Sequence, residues 1–218
     1  MQLYLIRHAQ SANNSKPEAE RVEDPEITEL GHQQAAAIAK SIADQNVDFL
    51  VTSGFLRTLQ TTQYLADSLR MPIHVWRDLH EVGGCYRGYI PGEEQGAPGM
   101  NRDAILAKYP GTTVDESIGT EGWWGCRSYE TEAQATLRSE QMLARFAEQF
   151  GATDKVVVAV IHADFKVCML RQILGNDFTR RHIGPMLNTG LTKFTVSEDA
   201  WRLDILNSIT HLSSDQIS

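Results

Sequence analysis

Residues 3–10 read LYLIRHAQ: an unbroken apolar run that ends at once in Arg7 and His8. Residues 156–164, VVVAVIHAD, repeat the arrangement and deliver His162. Apolar runs this short, continuous rather than alternating, are what strands covered on both faces require. Two such strands, each releasing a histidine into a polar turn, predict a buried parallel sheet with chemistry at its carboxyl edge.

The rest of the chain fits around that pair. Residues 48–52 and 73–76 are two further short apolar runs, and amphipathic stripes lie between the runs. Leu30, Ala37, Ile38 and Ile42 mark a helix over 29–44, Leu56, Leu59, Ala66 and Leu69 one over 55–69, and Leu143, Phe146 and Phe150 belong to one over 130–150. A helix over 164–175 is stopped by Gly175, and strands at 191–197 and 201–206 are joined by a turn at Ser197, Glu198 and Asp199. Strands alternating with helices predict an α/β fold, a three-layer α/β/α sandwich with a mostly parallel central sheet and an antiparallel terminal hairpin. In such folds ligands gather beyond the carboxyl ends of the strands, which places His8, Ser53, Glu81 and His162 at one rim. Two segments break the alternation. Residues 11–27 are polar and acidic, and residues 82–128 are glycine-rich with Pro91, Pro98 and Pro110. The second is long for a plain connection and is expected to be a lid or substrate wall on a single domain spanning 1–218.

The 218 residues carry a net charge of −8 and a pI near 5.3, which argues against nucleic acid or an anionic membrane surface as partner. An anionic ligand must therefore meet a local cluster of cations. Cys85, Cys126 and Cys168 form no CxxC motif, so free thiols in a reducing compartment, the cytoplasm, are expected. The first residues show no basic and apolar leader pattern, and no eighteen apolar residues run together.

His8 is the candidate nucleophile: a neutral imidazole nitrogen can attack phosphorus and form a phosphohistidine that water later hydrolyses. Arg7 beside it disfavours the protonated ring. Arg57 falls in the first turn of a helix that Thr52 or Ser53 could cap. A cation there opposes the helix dipole, and a bound anion would account for it. His162 is a second candidate phosphate contact, and Glu81 the candidate acid that protonates the leaving alkoxide, with Glu93 and Glu94 competing for that role. Neither HExxH nor HxH spacing occurs, so no metal and no cofactor is expected.

Taken together, these residues resemble the histidine phosphatase superfamily, in its phosphoglycerate-mutase-like branch. The matching pieces are Arg7 and His8 in RHAQS, Thr28 and Gly31 in ITELGHQQA, Ser53 and Arg57 in SGFLRTLQT, Glu81, and His162 in IHAD. The resemblance implies that His8 is phosphorylated, that Arg7, Arg57 and His162 hold the phosphoryl oxygens, and that Glu81 is the proton donor. It adds Asn14, and more weakly Ser11, as phosphate contacts, and it is compatible with a homodimer. Ala9 departs from the signature glycine, and Ala163 and Asp164 from the glycines after the second histidine. Asp164 could orient His162, repel phosphate or cap the following helix.

The implied activity is metal-independent hydrolysis of a small phosphomonoester. Mutases that resemble this core carry a tryptophan soon after the signature histidine, a YG…GLNK run and paired arginines. Here Asn13 and Asn14 lack that tryptophan, the run is VGGCYRGYIPG, and 101–128 holds no arginine pair. A cofactor-dependent mutase and a non-catalytic phospholigand-binding protein remain the alternatives. Trp123 and Trp124 either stack on the substrate or pin the 82–128 segment to the core.

Overall fold

The computed structural model describes residues 1–90, 92–197 and 200–218. A seven-stranded sheet forms its centre, in the order β6-β3-β2-β7-β1-β8-β9. The strands are β1 (Gln2–Arg7), β2 (Phe49–Thr52), β3 (His74–Val75), β6 (Thr113–Val114), β7 (Val156–Ile161), β8 (Leu191–Ser197) and β9 (Ala200–Ser208). β1, β7, β2, β3 and β6 pair in parallel, and β8 and β9 add the antiparallel edge. The flanking helices are α1 (Glu29–Ser41), α2 (Leu56–Leu69), α3 (Arg102–Lys108), α4 (Glu132–Phe150), α5 (Ala163–Leu174) and α6 (Asn176–His182).

The central strands bury both faces, as their continuous apolar character requires. Tyr4, Ile6, Val158 and Val160 pack with Ile38 of α1 and Leu59 and Leu65 of α2. Leu3, Leu5, Val157 and Ala159 face the other way, onto Phe146 of α4 and Phe165 and Met169 of α5. The alternation of successive side chains along a strand thus sorts one apolar run into two cores, and the result is the three-layer α/β/α sandwich with a mostly parallel sheet. Gly175, at φ 85°, ends α5 in a conformation that side-chain-bearing residues avoid.

Several boundaries differ from expectation. The helix expected over 29–44 ends at Ser41, and a second short helix, α6, follows Gly175. Of the expected turn after Ser197, Glu198 and Asp199 lie outside the described residues, as does Pro91. The 82–128 segment is not one loop. It carries a small hairpin, β4 (Tyr86–Arg87) with β5 (Gln95–Gly96), then α3, then β6, which closes the far edge of the main sheet against β3. Among the described residues no helix is long and apolar enough to cross a membrane.

The register of the two innermost strands positions the site. Arg7 lies opposite Ile161 in the parallel β1/β7 pair, and the His8 amide donates to the Ile161 carbonyl at 2.9 Å. His8 and His162 therefore leave the sheet side by side, with ring centroids 5.3 Å apart.

Candidate active site

Each histidine is buried and has its tautomer set by its neighbours. Arginine can only donate, so the 3.2 Å contact from Arg57 Nε makes His8 Nε2 an acceptor. The ring proton is then on Nδ1, which donates to the Ala9 carbonyl at 2.7 Å. His162 follows the same logic. Its Nδ1 accepts from Arg57 Nη2 at 3.2 Å, and its Nε2 donates to Ser53 Oγ at 2.8 Å. Burial, then the charge of Arg57, holds both rings well below the ordinary histidine value, with Arg7 adding to the effect on His8. Both are neutral near pH 7, and the lone pair on His8 Nε2 faces the cations.

The arginines are fixed from below. Arg57 follows the first residue of α2, with its guanidinium carbon 3.9 Å from the centre of the Phe55 ring. Neither Thr52 nor Ser53 caps this helix. The Leu56 amide instead donates to Asp24 Oδ1 at 2.8 Å, while the Ser53 hydroxyl is engaged with His162 and Thr58 and accepts, of the backbone amides, only that of Phe55, at 3.4 Å. Asp24 is also the carboxylate that most favours the Arg57 charge, against the burial that disfavours it. Arg7 Nη1 donates to the Met186 carbonyl at 2.6 Å, whereas its buried Nε has no acceptor among the described residues.

Asn14 and Ser11 form one unit. Asn14 Oδ1 accepts from the Ser11 amide and hydroxyl, both at 3.0 Å, and from Asn188 Nδ2 at 3.4 Å. These contacts orient the side-chain amide, leaving Asn14 Nδ2 available to donate to an anion, while the Ser11 hydroxyl proton is committed to Asn14. Asn188 Nδ2 also donates to the His8 carbonyl at 2.9 Å. Nothing in the sequence singles it out, since it reaches the site only by packing. Ala9 is accommodated without a positive φ, its amide donating to Thr61 Oγ1 at 3.0 Å.

Glu81 reaches the site from the loop after β3. Its Oε1 accepts the Val82 and Phe165 amides at 2.9 Å, and Oε2 accepts the Asp164 amide at 3.3 Å. The carboxyl group of Glu81, rather than Asp164, thus caps the amino end of α5. Burial raises the Glu81 pKa and the Asp164 charge raises it further, while the amide donors pull the other way. Behind it, Arg138 donates through Nη1 to the carbonyls of Asp78 and His80 at 2.7 and 3.0 Å. The same guanidinium is paired in fork geometry with buried Glu130 at 2.7 and 2.6 Å.

Arg7, His8, Ser11, Asn14, Arg57 and Glu81 all line one cleft of ≈ 330 Å³. His162 is fully buried behind Arg57. Glu93 and Glu94 are not on the cleft wall, whereas Tyr86, Tyr89, Tyr129, Asp164 and Arg21 are. The two tryptophans pack instead of facing ligand. Trp123 is fully buried with its ring 4.4 Å from that of Phe55, and Trp124 Nε1 donates to the Arg127 carbonyl at 2.8 Å. A neutral imidazole lone pair, the buried guanidinium of Arg57 with the part-buried one of Arg7, and a carboxyl with a raised pKa around one cleft can bind a phosphoryl group, displace its ester oxygen and protonate it.

Comparison with known proteins agrees with this chemistry. A model described as histidine phosphatase superfamily (branch 1) matches residues 3–209. A glucosyl-3-phosphoglycerate phosphatase of Mycolicibacterium vanbaalenii is 23% identical over 230 residues, covering 98% of this chain and 97% of its own. An uncharacterized phosphatase, PhoE, of Bacillus subtilis is 24% identical, covering 96% and 95%. Among solved structures, phosphoserine phosphatase from Entamoeba histolytica in complex with 3-phosphoglyceric acid superposes with a TM-score of 0.67 at 24% identity, covering 97% of this chain and 99% of that one.

Proposed function

The chain belongs to the histidine phosphatase superfamily, branch 1, and from that membership we propose that it hydrolyses a small-molecule phosphomonoester, without a metal, through a phosphohistidine on His8. The observation that carries the proposal is the tautomer of His8. With Nδ1–H tied to the Ala9 carbonyl, Nε2 presents a lone pair to the cleft, and burial together with Arg57 keeps it unprotonated.

The steps follow from the geometry. An entering phosphoryl group draws the Arg57 donors away from the histidines and onto its oxygens, which frees the attacking lone pair. The unpaired Nε of Arg7 and Nδ2 of Asn14 supply further donors. The negative charge favours a proton on His162 Nδ1, converting it to a donor, with Ser53 holding the far side of the ring. His8 Nε2 bonds to phosphorus as the ester P–O bond breaks, and protonated Glu81 gives its proton to the leaving oxygen. In the second half Glu81, now ionised, takes a proton from water. The water oxygen attacks phosphorus, the P–N bond breaks, and phosphate and neutral His8 return. Arginines supply the charge stabilisation that a metal would otherwise provide.

The test is steady-state phosphate release from p-nitrophenyl phosphate in excess chelator, for the wild type and His8→Ala. Chelator-resistant turnover that is lost in the variant, with an acid-labile phosphoenzyme trapped only in the wild type, is the expected result. Equal turnover in both proteins would remove His8 from the mechanism. Phosphoryl transfer between positions of a phosphoglycerate without net phosphate release would favour the mutase reading instead.

A further inference from the structure

Asp164 departs from the family pattern, and nothing in the mechanism uses its carboxylate. The Asp164 amide donates to Glu81 Oε2 at 3.3 Å, but the side chain lines the cleft without a hydrogen bond or ion pair among the described residues. It does not orient His162, whose ring nitrogens are held by Arg57 and Ser53, and it does not cap α5, where Glu81 stands. The other charges of the wall have partners. On the hydrolase reading the phosphoryl dianion engages Arg7 and Arg57, while Glu23 pairs with Arg87 at 3.2 Å and Arg21 lies 3.6 Å from Glu18. With Glu81 protonated as the donor, Asp164 is the one charge on the cleft without a counterpart.

An aromatic wall shares that cleft. Tyr86 lies between Tyr89 and Tyr129, with ring centroids 5.1 and 4.9 Å away, and all three line the cleft. The Tyr86 and Tyr129 rings close directly over the loop that carries Glu81. Gly83, at φ 90°, leaves them room, since a Cβ there would lie 2.5 Å from Tyr129 and 2.9 Å from Tyr86. Tyr129 is fixed at its root, because the adjoining Glu130 amide donates to the Gly83 carbonyl at 3.2 Å while the Glu130 carboxylate is held by Arg138. The two ends of the wall differ in charge. Burial raises the Tyr129 pKa, and Glu94, Asp164 and Glu81 raise it further, whereas at Tyr89 burial is opposed by Arg57 and Arg21. The Tyr86 and Tyr129 end is thus un-ionised aromatic surface among acids, surroundings that favour a cation.

We propose that the Asp164 carboxylate, with the ring faces of Tyr86 and Tyr129, receives an ammonium group at the far end of the substrate, so that the preferred substrate is the phosphomonoester of an amino alcohol. The assignment rests on the hydrolase reading for the phosphoryl end. It gives the cleft two poles, arginines for the phosphate and an acid with aromatic rings for the cation.

Phosphocholine and its uncharged carbon isostere, 3,3-dimethylbutyl phosphate, test it, with phosphate release as the readout. The wild type should prefer phosphocholine, and Asp164→Asn should lower the phosphocholine-to-isostere ratio of kcat/KM about tenfold, mainly through KM. Asp164→Asn also removes a charge that raises the Glu81 pKa, but both probes are alkyl esters and the ratio cancels that change. Tyr129→Leu, at a side chain 39% exposed, should lower the same ratio about threefold. 3-Phosphoglycerate, with the opposite charge at its far end, should be the poorest of the three and gain in Asp164→Asn. A ratio unmoved by either substitution, or a wild type that prefers 3-phosphoglycerate, would overturn the assignment. A ratio that falls in Asp164→Asn alone would support the carboxylate and overturn the aromatic part of the receptor. Calorimetric titration of the wild type and Asp164→Asn with both probes, under conditions where the assay finds no turnover, or in the His8→Ala background where it does, separates the site from the chemistry. An Asp164-dependent preference in binding without turnover of any phosphoester by the wild type overturns hydrolysis and supports the cation site, whereas equal affinities overturn the site.

Discussion

The Arg57 guanidinium donates through Nε to His8 Nε2 at 3.2 Å, so the group proposed to hold the phosphoryl oxygens occupies the lone pair proposed to attack phosphorus. Substrate must displace that contact before reaction. Removing the cation therefore has two separable effects. Arg57→Met should lower kcat/KM about 10²-fold or more, and it should raise the His8 pKa, because Arg57 is second only to burial in depressing it. Arg57→Lys should also lose activity, for want of the fork, while leaving His8 nearer its depressed value. Ring-nitrogen NMR titration of the variants reads the second effect. An unmoved His8 in Arg57→Met would contradict it.

Glu81 should matter in proportion to the basicity of the leaving group. Its pKa is raised by burial and by Asp164, so its protonated, proton-donating form persists above the ordinary glutamate range and is lost as pH rises through the raised value. The kcat/KM for an alkyl phosphate should fall along that limb, and Glu81→Gln should abolish the limb and cost about 10²-fold or more. An aryl phosphate, whose leaving group needs little help, should lose much less. Equal losses on both substrates would assign Glu81 to a structural role at the cap of α5.

Asp24 predicts a stability effect with a definite sign. Burial raises its pKa from 3.8 to about 6, outweighing Arg57 and the Leu56 amide. Between those values the folded chain holds a proton that the unfolded chain has released, so this group's contribution to stability is greatest below the lower value and is lost as pH rises through the upper one. Asp24→Asn keeps an acceptor for the Leu56 amide and removes the titration. Urea melts across this range should show a flatter stability profile for the variant than for the wild type, and parallel profiles would sink the assignment.

Trp123 and Gly54 should be strongly coupled. A Cβ on Gly54 would run into the Trp123 ring, which is fully buried against the loop that carries Ser53 and Phe55. Trp123→Ala should cost about 3–5 kcal/mol. Gly54→Ala should be destabilising in the wild type and much better tolerated in Trp123→Ala. Additive denaturation midpoints would contradict the packing described here.

The central architecture was legible because its signals are local. Unbroken apolar runs mark β1 and β7, and stripes mark α1, α2 and α4, so the rim that gathers His8, Ser53, Glu81 and His162 follows from topology, with Arg57 in the first turn of the helix after Ser53. What escaped reading lacks such signals. Thr113–Val114 is too short to show a pattern, and it becomes β6 only because β3 lies beside it. Thr52 and Ser53 look like caps for α2, but the hydroxyl of Ser53 is taken by His162 and the capping carboxylate arrives from Asp24, 32 residues away from Leu56. Asn188, 180 residues from His8, and Arg21, in a loop without periodicity, acquire their places solely from tertiary packing.

The β1/β7 register has a consequence for variation and engineering. Because Arg7 faces Ile161 across the parallel ladder, the gap between the two histidines is measured out by main-chain hydrogen bonding and not by the side chains around them. The reactive half of the cleft is thus a fixture of the sheet, while the half that meets the rest of the ligand is built from exchangeable loops, 11–27 and the hairpin of β4 and β5. Retargeting this protein to another phosphoester is a task for those loops. A one-residue slip of β1, by contrast, would turn His8 to the opposite face and dismantle the chemistry outright.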